Sequence, residues 1–106
     1  MAIALQVRDS EGRCHVYAAE QQIKIGRDPS QVNVVLDDEF VSRYHCVIQR
    51  RLNGDWVFIH RGRNPSWVDG QDLRRPGEQV ILKDRSALRL GAIMFDATQD
   101  EDPATQ

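Results

Sequence analysis

Three short stretches of this chain gather side chains that could hold an anion: Gly26-Arg27, Ser42-Arg43-Tyr44-His45 and Arg63-Asn64. Arg presents a planar fork of donors that matches phosphate oxygens, and Ser and Asn add neutral donors that fix orientation. Such a set holds a phosphate ester without breaking it, so the chemistry it implies is recognition rather than catalysis. Between Ser42 and Arg63 there are five Arg (Arg43, Arg50, Arg51, Arg61 and Arg63) and one acid, Asp55, which makes that stretch locally positive. Each residue alone has a plainer reading. Arg27 could be a surface Arg paired with Asp28, Ser42 a turn residue, Arg43 a packed stem, and Arg50 and Arg51 solvated charges at a strand end. The combination is what points to a site.

The elements that must position these residues read as strands. No helical period is sustained. Alternating and β-branched runs recur over residues 3–8, 13–18, 22–26, 32–36, 46–52, 56–60, 66–68, 80–82, 87–90 and 93–95. Asn53-Gly54 and Asp69-Gly70 mark tight turns, and Pro76-Gly77 marks another. Many short strands between turns predict an all-β fold, an antiparallel β-sandwich. The arginine-, serine- and asparagine-bearing stretches then fall in loops between strands.

Composition bounds the remaining classes. A chain of 106 residues makes one domain, and 41% hydrophobic with 28% charged residues suits a folded one. The apolar runs are too short to span a membrane, and the start of the chain lacks a signal peptide's basic and apolar regions, so a cytoplasmic location is expected. A net charge of −2 gives no footprint for nucleic acid or membrane. Asp96, Asp100, Glu101 and Asp102 lie in the last eleven residues, where there is no Lys or Arg, and the rest of the chain is net basic. Residues 1–96 are therefore read as the folded domain and residues 97–106 as an acidic disordered tail. Cys14 and Cys46 are expected to be reduced and buried. Each has a His neighbour, His15 and His45, but strand neighbours point to opposite faces and the spacing matches no zinc signature, so neither metal nor cofactor is expected. Trp56 and Trp67 are read as core or rim packing rather than base-stacking platforms.

The order Gly26-Arg27, Ser42-Arg43-x-His45 and Asn64, on a chain of short β-strands, resembles the forkhead-associated (FHA) domain family over residues 3–95. The resemblance implies a β-sandwich of about eleven strands whose loops at one end bind phosphothreonine peptides. It implies that Arg27 is the main phosphate contact, that the Ser42 hydroxyl donates to the phosphate with help from its own N–H, and that Arg43 reaches the phosphate or the peptide. Asn64 would bond the peptide backbone beside the phosphothreonine. Gly26 and His45 would be structural, the first by leaving room at the loop base and the second by hydrogen-bonding the loops from beneath. Arg63 stands where the family often has a small hydroxyl or Lys, and it adds a cation that could strengthen phosphate binding or reach an acidic residue of the ligand. The family pattern continues Asn-Gly-Thr. Here Pro65 replaces the Gly, fixing φ and removing an N–H, and Ser66 replaces the Thr as a brace for the loop. Partner choice would lie in loops around residues 37–41, 61–65 and 70–75.

Two functions follow. One is a phosphopeptide-binding module, a monomer that recognises a phosphothreonine-containing protein in a Ser/Thr protein kinase pathway. The other is a β-sandwich interaction domain that no longer needs phosphate, kept open by Pro65. No nucleophile elbow, flanked carboxylate pair or Gly-rich phosphate loop supports an enzyme. In the tail, Thr98 precedes an acidic stretch, Gln99-Asp100-Glu101. If phosphorylated it could occupy a site on its own or another copy, and unmodified the tail could cover the Arg27 pocket.

Overall fold

A computed structural model of the chain describes residues 3–8 and 14–99. Eleven strands run in order: β1 (Ile3–Arg8), β2 (Cys14–Ala19), β3 (Gln22–Gly26), β4 (Val34–Val35), β5 (Cys46–Arg50), β6 (Trp56–His60), β7 (Ser66–Val68), β8 (Gln71–Leu73), β9 (Gln79–Ile81), β10 (Arg85–Leu90) and β11 (Ile93–Gln99). They form two sheets, one ordered β2-β1-β11-β10-β7-β8 and the other β4-β3-β5-β6-β9. Among the described residues no helix is long and apolar enough to cross a membrane.

Alternation builds the sandwich. In β10, Ser86, Leu88 and Leu90 turn inward while Arg85, Ala87 and Arg89 face out. Ile23 and Ile25 of β3, Ile48 of β5, Trp56 and Phe58 of β6, and Phe95 and Ala97 of β11 meet Ile3 and Leu5 of β1 in one core. Most pairs are antiparallel, but β3 and β4 run parallel, with Ile25 opposite Val34. That pairing shortens the expected strand 32–36 to two residues. Beside it, Asn33 N–H donates to the Lys24 carbonyl while Asn33 Oδ1 accepts the Lys24 N–H, and Leu36 N–H donates to the Gly26 carbonyl.

Turn chemistry explains the other boundaries. Asp69 and Gly70 both have positive φ, at 51° and 85°, and close the β7–β8 hairpin between Val68 and Gln71. The expected strand 46–52 stops at Arg50, because Gly54, at φ 95°, sits in a loop closed by Arg51 and Asp55. Strand β8 carries no strand signal in sequence, since it is short and polar and only Leu73 is buried. Cys46 is buried as expected, but Cys14 is exposed on the edge strand β2.

The C-terminal boundary needs correction. β11 continues past residue 96, and Ala97, Thr98 and Gln99 pair with Leu5, Ala4 and Ile3 of β1. Ala97 is fully buried, and Ala97 and Thr98 also pair with β10. Thr98 is thus held by backbone on both sides, and presenting it to a binding site would require unzipping the end of β11. Residues 100–106 lie outside the described residues. Truncation after Asp96 should lower Tm by roughly 10 °C relative to truncation after Gln99, corresponding to about 2 kcal/mol. Thermal unfolding of the two truncated chains checks this, and equal Tm values would contradict the pairing.

Candidate functional site

The loops after β3, between β4 and β5, and between β6 and β7 converge at one end of the sandwich. They enclose a cleft of about 780 Å³ lined by Arg27, Glu39, Phe40, Val41, Ser42, Arg43, Tyr44, Arg61, Arg63 and Asn64. The residues singled out for anion binding (Arg27, Ser42, Arg43, Arg63 and Asn64) all reach this cleft. Arg50 and Arg51 do not, and Arg51 bonds Gln79 instead. Residues 37–41 and 61–65 contribute to the lining, whereas none of residues 70–75 does.

The loop base is built on close backbone contact. Arg27 N–H donates to the Ser42 carbonyl at 3.0 Å and Asp28 N–H to the Arg43 carbonyl at 3.2 Å. A Cβ on Gly26 would lie 2.1 Å from the Arg43 carbonyl oxygen, so this approach tolerates glycine alone. The side chain of Asp28 is not paired with Arg27. It accepts bonds from Ser30 N–H, the Ser30 hydroxyl and the Gln31 amide, which hold it below the usual carboxylate range. Among the described residues nothing hydrogen-bonds or ion-pairs with the Arg27 guanidinium.

Ser42 is held from two sides. Its N–H, which the resemblance implied would help at the phosphate, donates instead to His45 Nδ1 at 3.0 Å. Its hydroxyl oxygen accepts the Arg63 N–H at 3.0 Å. With that lone pair engaged, the hydroxyl proton is left to donate into the cleft.

His45 is fully buried beneath the loops. Burial, reinforced by the neighbouring His60, pushes it down to about 4, while the backbone of Pro65 and Asn64 pulls the other way. The imidazole is therefore neutral at pH 7, with Nδ1 as acceptor and the proton on Nε2. The two His rings meet edge to face, with centroids 5.3 Å apart. Burial likewise lowers His60, whose Nδ1 lies 2.8 Å from the buried Ser66 hydroxyl.

Asn64 donates its amide to the Phe40 carbonyl at 2.8 Å, tying the β6–β7 loop to the β4–β5 loop. One amide N–H and the carbonyl remain for a ligand. Pro65 follows in trans and is half-buried, and the bond to Phe40 forms beside it. Phe40 stacks on both His45 and Trp67, and Gly91 leaves it room, since a Cβ there would lie 2.7 Å from the Phe40 ring. Arg89 lies over the outer sheet residue Trp67, 4.4 Å from the ring centre, while Trp56 is in the core.

Sequence reasoning gave no individual role to Gly62, Phe40, Tyr44 or Arg61, although Phe40, Arg61 and Gly62 lie in the loops 37–41 and 61–65 expected to set partner choice. Gly62 could have been suspected from its position between two arginines in a loop. The reason for it is visible only in three dimensions, because a Cβ there would lie 2.7 Å from His45 Nδ1. No group of three His, Cys, Asp or Glu that could hold a metal ion occurs among the described residues.

A family model, the FHA domain, matches residues 23–91, and the chain belongs to that family. A search of curated proteins returns no match. Among solved structures, the FHA domain of CT664 protein from Chlamydia trachomatis is 20% identical with a TM-score of 0.82, covering 95% of this chain and all (100%) of that one. Mycobacterium tuberculosis EmbR, in complex with a low-affinity phosphopeptide, is 27% identical with a TM-score of 0.70. That match covers 90% of this chain and 24% of EmbR. The N-terminal FHA domain of S. cerevisiae Rad53p, in complex with a phosphothreonine peptide, is 12% identical with a TM-score of 0.76, covering 94% of each chain.

Two outcomes follow from this geometry. Gly62→Ala forces its methyl against the buried His45 ring and should cost about 1–3 kcal/mol in urea unfolding. Unfolding at the wild-type midpoint would contradict the contact. The lowered His45 also sets a pH dependence. As pH falls from about 6.5 toward 4, the unfolded chain takes up a proton before the folded one. Stability is full above that window and should decline through it by on the order of 3 kcal/mol. Imidazole NMR shifts should show His45 still neutral at about pH 5, against an ordinary His near 6.5. Titration near 6.5 would contradict the buried neutral ring.

Proposed function

We propose that this chain is a phosphothreonine-peptide-binding module serving a Ser/Thr kinase pathway, acting as a monomer in the cytoplasm. The observation that carries the reading is the state of Ser42. Its hydroxyl oxygen is occupied by the Arg63 N–H, its proton is available, and Arg27, Arg43 and Arg63 line the same cleft. A phosphate monoester carries close to two negative charges at neutral pH and three acceptor oxygens, which this donor set suits. In this reading Asn64, which keeps one amide N–H and its carbonyl beyond the bond to Phe40, bonds the peptide backbone beside the phosphothreonine.

The same geometry argues for binding over catalysis. Ser42 and His45 are three residues apart, but Nδ1 accepts the serine N–H rather than its hydroxyl. An imidazole pushed down to about 4 is also a weak base. In this reading the kinase makes the ligand and the module reads it. Complexes of EmbR with a phosphopeptide and of Rad53p with a phosphothreonine peptide support the assignment by analogy.

Calorimetry with phosphothreonine, phosphoserine and unmodified threonine peptides tests it. The phosphothreonine peptide should bind and the unmodified one should not. Arg27→Ala should weaken binding roughly 10- to 100-fold, the loss of a charge-assisted contact. Phosphoserine should bind roughly fourfold more weakly, the value of one buried methyl. Binding indifferent to phosphate would overturn the reading and leave the sandwich faces as the interaction surface.

A further inference from the structure

Resting on the phosphothreonine reading, we propose that Ser30 is a regulatory modification site. A phosphate on its hydroxyl engages Arg27 and Arg43 and closes the cleft to the phosphothreonine ligand.

Accessibility is the first argument. The serines and threonines among the described residues are Ser30, Ser42, Ser66, Ser86 and Thr98. Ser66 and Ser86 are fully buried. Ser42 is half-buried with its hydroxyl on Arg63 N–H, and Thr98 is paired on both sides within β11. Among them Ser30 alone is exposed. It sits in a turn closed by Gln31 N–H on the Asp28 carbonyl at 3.0 Å, with Pro29 at the position where its fixed φ suits the bend. A kinase reaches this hydroxyl without opening a strand.

Position is the second argument, because the turn lies along the site it would control. Asp28, its first residue, donates its N–H to the Arg43 carbonyl at 3.2 Å, and Arg27 donates its N–H to the Ser42 carbonyl at 3.0 Å. The Ser30 hydroxyl reaches back to Asp28 Oδ1 at 2.8 Å. Bonds from Ser30 and Gln31 keep the Asp28 carboxyl ionised, and the field of Arg43 adds to them. Ser30 is thus tied through one residue to both Arg27 and Arg43. Among the described residues neither guanidinium has a hydrogen bond or an ion pair.

Charge is the third argument. A protein kinase transfers the γ-phosphoryl group of a nucleoside triphosphate to the Ser30 oxygen. An O–P bond forms there, the bond to the diphosphate breaks, and the hydroxyl proton passes to the kinase's base. Losing that proton removes the donor to Asp28 Oδ1 and sets close to two negative charges beside the Asp28 carboxylate. Repulsion from Asp28 and attraction to Arg27 and Arg43 both turn the phosphate toward the cleft. The cleft lining holds four guanidinium groups (Arg27, Arg43, Arg61 and Arg63) and one carboxylate, Glu39. A dianion takes two of the three net positive charges, so too little is left to balance a second phosphate. Being attached to the chain, it also competes at a high effective concentration.

The test compares the unmodified chain, Ser30→Ala and a chain with phosphoserine incorporated at Ser30. Fluorescence anisotropy with a phosphothreonine peptide should show binding weakened roughly tenfold or more by the phosphate. Ser30→Ala should bind as the unmodified chain does. Equal affinity with and without the phosphate, or a loss that accompanies a collapsed Tm, would overturn the switch. Phosphorus NMR gives a readout that needs no peptide. The second ionisation of the phosphate on Ser30 should move to higher pH in Arg43→Ala, because a neighbouring cation is lost. Identical titrations would place the phosphate away from Arg43 and overturn the contact. Mass analysis of the chain from the cells that make it, with phosphatases inhibited, should find phosphate on Ser30, and none in growing, starved or stressed cells would overturn the modification. If the phosphothreonine peptide binds the unmodified chain no better than its unphosphorylated form, the phosphothreonine reading fails, while the phosphorus titration still reports whether the phosphate meets Arg43.

Discussion

His45 can hold Ser42 in place only while its Nδ1 carries no proton. The Ser42 N–H needs an acceptor there, and an imidazolium would offer a second donor instead. Burial supplies the condition, since a charged ring is costly beneath the loops and the neighbouring His60 adds to the penalty. From that one bond the others follow in order. Ser42 is fixed, so its hydroxyl can accept Arg63 N–H and its carbonyl can accept Arg27 N–H. Three separate loops are thereby brought together around a single serine.

Close packing gives this arrangement its rigidity. Gly26 and Gly62 are the points where loop backbone approaches the Arg43 carbonyl and the His45 ring, and neither has space for a Cβ. Phe40 closes the other side, stacked between His45 and Trp67, with its own carbonyl taken by Asn64. The cleft arginines Arg27, Arg43, Arg61 and Arg63 stay exposed, and their side chains make no hydrogen bonds or ion pairs with other described residues. The loops are therefore organised before a ligand arrives, while the cationic groups remain available to it, and such preorganisation lowers the cost of binding.

Pro65 shows how a departure from the family pattern can be absorbed. Proline removes a donor and restricts Asn64, yet Asn64 still reaches the Phe40 carbonyl, and Ser66 still sets its hydroxyl against His60. The two buried histidines brace the β6–β7 loop through these neighbours. The loop is held by side chains rather than by the backbone N–H that proline lacks.

Much of this was legible in the sequence. Strand alternation identified the sandwich, because a period of two reports directly which residues turn inward, as in β3 and β10. Gly26-Arg27, Ser42-Arg43-x-His45 and Asn64 could be singled out by residue type and spacing, and the fold brings Arg27, Ser42, Arg43 and Asn64 to one cleft. The sequence was silent where local signals are weak or partners are distant. β8 has one buried residue, and the parallel β3–β4 pair needs a partner nine residues away to be recognised. The polar end of β11 resembles a tail until β1 and β10 are seen on either side of it. Residue types and their order were therefore set by the chain itself. The roles of Gly62, Phe40 and Arg61, and the commitment of the Ser42 N–H to His45, were decided by tertiary contact, because they depend on which atoms the fold brings within hydrogen-bonding or van der Waals distance.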